Sequence, residues 1–117
     1  MNKDILKIEQ QFIYLLLKNE GLVDEWINSQ LKIEHFSKEH KTILTAIQDC
    51  YDKNVLLTRK TFIAMLESIK LPKERVEQEM VFNRCLVSQA NINDFPSLMS
   101  QIMEEYLLRS TTMSIKK

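Results

Sequence analysis

The sequence predicts an all-α fold, a compact bundle of about five to six short helices with a longer helix towards the C-terminus. Three observations predict it. Among 117 residues there is one glycine, Gly21, and there are two prolines, Pro72 and Pro96; a β-rich or α/β chain needs tight turns and uses more of both. Long stretches consist of Leu, Ile, Lys, Glu and Gln, side chains that lose little freedom in a helix. Apolar residues recur at steps of three and four, the period of an amphipathic helix.

The elements follow in order. Residues 4–18 carry Ile5, Ile8, Phe12, Leu15 and Leu16 on one side and Lys3, Lys7, Gln11 and Lys18 on the other, an amphipathic helix that Gly21 closes as a C-terminal cap. Residues 22–35 are less regular; Leu22, Val23, Trp26 and Ile27 predict a short second helix, and Leu31, Ile33 and Phe36 lead onward. Ser37 is placed to cap a third helix running to about Asp52, with His40, Ile43, Leu44, Ile47 and Tyr51 as its stripe. Thr58 caps a fourth, holding Phe62, Ile63, Met65, Leu66 and Ile69, and Pro72 prevents its continuation. A fifth, over about 73–89, carries Val76, Met80, Phe82, Cys85 and Leu86, the least clean stripe of the set. Asn91 to Asp94 form a polar break, and Pro96 fits the first turn of a last helix over about 94–115.

Composition removes several function classes. Sixteen basic residues balance sixteen acidic ones, and neither half is basic enough to hold phosphates as its main business. No apolar run approaches the roughly 20 residues that span a bilayer, and the charged start Met1-Asn2-Lys3-Asp4 does not read as a secretory signal. Cys50 and Cys85 are too few for a secreted disulfide scaffold and read as buried free thiols of a cytoplasmic protein. With Gly21 alone, neither a GxxxxGK[ST] nor a GxGxxG phosphate loop can exist.

Other chemistries lack their constellations. His35 and His40 stand five residues apart, not the four that put two metal ligands on one helical face, and both cysteines are distant from them. A Cys50–His40 nucleophile pair would span three turns of one helix with nothing to form an oxyanion hole. Glu77 and Glu79, like Glu104 and Glu105, are too close in sequence to face a common point. A DNA-reading helix over 73–89 would mix Lys73, Arg75, Gln78, Asn83 and Arg84 with Glu74, Glu77 and Glu79, a poor match to a phosphate backbone. No catalytic, cofactor-binding or metal-binding residue is therefore assigned.

Several pieces in order resemble the N-terminal domain of DnaB-type replicative DNA helicases. They are Glu9-Gln10 with the apolar run behind it; Phe36, His40 and Ile43-Leu44, followed by Ala46-Ile47; and Thr58, Thr61 and Phe62 with Leu66. The last is Asn91-Ile92, Phe95, Ile102 and Leu107-Leu108-Arg109. The likeness spans almost the whole chain. The Gly-Gly-x-x-Tyr-Leu segment usual before the fifth helix is missing, and the stretch from Phe95 to Arg109 is about one turn longer, marks of a divergent phage or mobile-element member.

The resemblance implies one helical domain, a globular head over about 1–92 and a last helix that begins a helical hairpin. It implies a non-catalytic collar that self-associates as a dimer or hexameric ring and recruits primase and a helicase loader. It implies no sequence-specific nucleic acid, with ATP and magnesium confined to a motor domain outside this chain. The last helix supplies an independent argument. Leu98, Ile102 and Tyr106 lie on one side and Met99, Met103 and Leu107 on the next, so either a partner helix covers the second side or both sides are buried within the monomer. The alternatives are a stand-alone helical adaptor, the similar helicase-binding domain of a primase, and a DNA-binding regulator.

Overall fold

Phe12, in the first helix, meets three other rings. It stacks on Phe95 at 4.9 Å, meets Trp26 edge-on at 6.2 Å, and tilts against Phe36 at 5.4 Å. The residues that carry these rings come from four separate segments, and their convergence on one side chain fixes the architecture. The computed structural model describes residues 4–68 and 71–115, with side chains through Ser110. Lys3 and Ile69, which figured in the expected pattern, lie outside the described residues.

Among the described residues the chain is all-helical, as expected. Six α-helices occur in order: α1 (Ile5–Lys18), α2 (Glu20–Ile27), α3 (Lys41–Asp52), α4 (Arg59–Leu66), α5 (Pro72–Leu86) and α6 (Phe95–Ile115). Three short 3-10 turns, Ile33–His35, Lys38–His40 and Ile92–Asp94, link them. α1 is the central helix, with α2, α3, α5 and α6 against it. Half of its length is buried, including Ile8, Glu9, Phe12, Ile13 and Leu16. The buried apolar side chains of all six helices form one contiguous core.

Several boundaries follow the expected chemistry. Thr58 accepts a hydrogen bond from the Thr61 backbone N–H and starts α4. Pro72, expected only as a stop to the fourth helix, is the first residue of α5, where its missing N–H costs nothing, and α4 has already ended at Leu66. Asn91 accepts from the Asn93 N–H, turning the chain into α6, with Pro96 in that helix's first turn.

Other boundaries are corrections. Gly21 does not cap α1; it is the second residue of α2. The break lies at Asn19, whose backbone is extended (φ −141°, ψ 110°) and whose side-chain amide donates to the Leu15 carbonyl at 3.1 Å. That amide satisfies an orphan carbonyl at the helix end, so no glycine is needed there. Ser37 does not cap α3 with its hydroxyl, because the hydroxyl donates to Glu9 instead, and a 3-10 turn precedes the α-helix. In α5 the inward residues are Val81, Phe82 and Cys85, whereas Val76 and Met80 point outward at 56% and 49% exposure. At about 100° per residue these two sets occupy opposite faces.

α5 is joined to α4 by the stacked rings of Phe62 and Phe82, 4.8 Å apart and 18° from parallel. Arg59 bridges the same joint from the surface, donating to Glu79 at 2.8 Å and to Asn83 at 3.1 Å. α2 and α3 are tied by the Tyr51 hydroxyl, which donates to the Asp24 carboxylate.

Candidate interaction surface and the buried polar centre

α6 is apolar on more than one side, and α1 decides which side turns inward. Phe95, Leu98, Ile102 and Glu105 form the buried row. Leu98 and Ile102, singled out as interface residues from the sequence, therefore belong to the core. Tyr106 turns sideways, its ring meeting His35 edge-on at 4.5 Å. Arg109 donates to the His35 carbonyl at 3.4 Å, so the far half of α6 is fastened to the first 3-10 turn.

Met99 and Met103 are half-buried and Leu107 is 55% exposed; together they line an open groove of about 510 Å³. Leu31 forms its buried wall and Leu108, 53% exposed, its far rim. The rest of the rim is polar, including Ser29, Gln30 and Glu104. Two thioethers and three leucines give an adaptable apolar surface suited to an amphipathic helix. Leu31 was missed as a groove residue because only the tertiary packing brings it to α6; Leu108 could have been found one step beyond Leu107.

A second constellation lies in the interior. Glu9, on α1, is fully buried against the segment that opens α3. Its carboxylate accepts from the Ser37 backbone N–H on both oxygens at 3.1 Å, from the Ser37 hydroxyl at 3.0 Å, and from His40 Nδ1 at 2.6 Å. His40 Nε2 is buried and has no hydrogen-bond partner among the described residues. The serine, acid and histidine of a hydrolytic triad are all present, but in the wrong order. The hydroxyl meets the carboxylate, so the imidazole is not placed to take its proton. Glu9 had a legible signal, since Phe12, Ile13 and Leu16 follow it at steps of three, four and seven on the apolar face.

The cysteines are not activated. Burial, with the charges of Glu9 and Glu39 adding to it, pushes the Cys85 thiol up to about 12. Burial also raises Cys50, Lys53 opposing and Asp49 assisting. Cys50 lies in the last turn of α3 and His40 just before its first, so the imagined pair is not assembled. Among the described residues no three His, Cys, Asp or Glu side chains gather to hold a metal ion, and no helix is long and apolar enough to cross a membrane. No family model matches the chain, and neither a curated protein nor a solved structure does.

Proposed function

We propose that this chain is a non-catalytic collar domain of a DnaB-type replicative helicase, which associates with further copies and recruits primase or a helicase loader. The observation that carries the reading is the outward face of α6. The longest helix keeps Met99, Met103 and Leu107 in an open groove after its other side has been buried against α1. A surface of this kind is suited to a partner helix. The ordered residues Glu9, His40, Ile43-Leu44, Thr58-Thr61-Phe62 and Leu107-Leu108-Arg109 direct the reading to that family. ATP and magnesium belong, on this reading, to a separate motor domain.

The test is capture of the cognate primase and of the helicase motor by the immobilised chain, with Leu107→Glu as control. Retention of either protein by the parent and its loss in the variant is the expected result. Retention of neither, together with tight, salt-sensitive binding to duplex DNA, would instead favour a DNA-binding regulator.

A further inference from the structure

α5 has a second apolar face that its own fold does not use. Val76 and Met80 are 56% and 49% exposed, and Val87, which caps the helix, is 76% exposed. With Lys73 and Asn83 they recur in steps of three and four: Lys73, Val76, Met80, Asn83, Val87. That is the heptad spacing of a coiled-coil seam, and the three apolar residues with Asn83 fall within an arc of about 60°. Asn83, the one polar residue among these four, keeps its side-chain oxygen on Arg59 Nε at 3.1 Å.

The charges beside the seam indicate what covers it. Glu77 and Arg84 flank it on one side, both exposed, and no ion pair engages either among the described residues. On the other flank Arg59 already holds Glu79. We infer that α5 pairs antiparallel with α5 of a second copy of this chain about a two-fold axis. Setting Val76 against Val87 of the second copy sets Met80 against Asn83. It also brings Glu77 opposite Arg84, and the two-fold repeats that pair. The surface is thus complementary to itself, as an isologous interface must be. A parallel pairing would bring Arg84 to Glu79, which Arg59 occupies.

This inference stands apart from the helicase reading and from the α6 groove. It is tested by light scattering on the full chain carrying Leu107→Glu, which removes the α6 contact. That protein is expected to form a concentration-dependent dimer. Glu77→Arg should weaken the dimer about tenfold or more, since the repulsion acts twice. Glu77→Arg with Arg84→Glu should restore it to within about threefold, and Met80→Glu should abolish it, each without lowering the melting temperature by more than a few degrees. A monomeric Leu107→Glu chain, a dimer indifferent to Glu77→Arg, or a charge swap that fails to restore it would each overturn the pairing. So would a chain that stays monomeric while added primase protects α5 from hydrogen exchange, which would assign the seam to a foreign helix.

Discussion

Glu9 and His40 meet at 2.6 Å with neither side chain exposed, joining α1 to the start of α3 across 31 residues of chain. A buried pair of this kind is weak evidence of net stabilisation, because burial penalises both partners. Breaking it is another matter. Glu9→Ala leaves the Ser37 N–H and the imidazole without an acceptor, and His40→Ala leaves a buried carboxylate short of a donor. Each should cost about 3–5 kcal/mol in urea unfolding, and the double variant should cost less than the sum. Losses below about 1 kcal/mol would show that the pair does not hold the two segments together.

Cys85 gives a pH dependence with a definite sign. Its folded value lies near 12, against 9.0 for an ordinary thiol. Below pH 9 both folded and unfolded chains keep the proton, and its contribution is fully present. Between about 9 and 12 the unfolded thiol ionises while the folded one does not, so stability falls as pH rises, by on the order of 4 kcal/mol at most. Cys85→Ala should flatten that slope relative to the parent when unfolding is followed across this window. Parallel slopes in the two proteins would contradict the burial of this thiol.

The α4–α5 joint separates a surface contact from a buried one. Arg59 and Glu79 are 49% and 40% exposed, so Arg59→Ala should cost less than about 1 kcal/mol. Phe82→Ala removes a ring stacked on Phe62 in the core and should cost about 3–5 kcal/mol. Chemical denaturation of the two variants should preserve that order. The reverse order would mean that the ion pair carries the joint.

Gly21 sits in α2 without a positive φ, and a Cβ added there meets no atom within 4 Å. Alanine would limit the freedom of the unfolded chain at no steric cost, so Gly21→Ala should stabilise by about 0.5–1 kcal/mol. A melting temperature raised by a few degrees is the expected reading. A lower one would reveal a close approach that the fold does not display.

Much of this fold was legible because its signals were local. Thr58 and Pro96 mark helix starts, one through its own side chain and the other through its missing N–H, and each stands where that chemistry puts it. The misplaced features depend on distant partners. Ser37 has every local qualification for an N-cap, yet Glu9, on another helix, takes its hydroxyl. Asn19 is the local exception: it ends α1 through a side-chain hydrogen bond to the Leu15 carbonyl four residues back, a signal that counting glycines passes over. α5 and α6 each carry apolar residues on two sides, and periodicity alone does not say which side faces in. Packing against α1 draws Leu98 and Ile102 inward and leaves Leu107 outside; in α5 it selects Phe82 and Cys85 and leaves Met80 outside.

The proposed function requires the outer face of α6, with Met99, Met103 and Leu107, to receive a partner. Light scattering over a concentration series, with and without the cognate primase, tests it most directly. The parent chain should grow in mass with concentration and again on adding primase, and Leu107→Glu should diminish both increases while melting as the parent does. A parent chain that keeps the mass of one protomer at every concentration, unchanged by primase, would contradict the account.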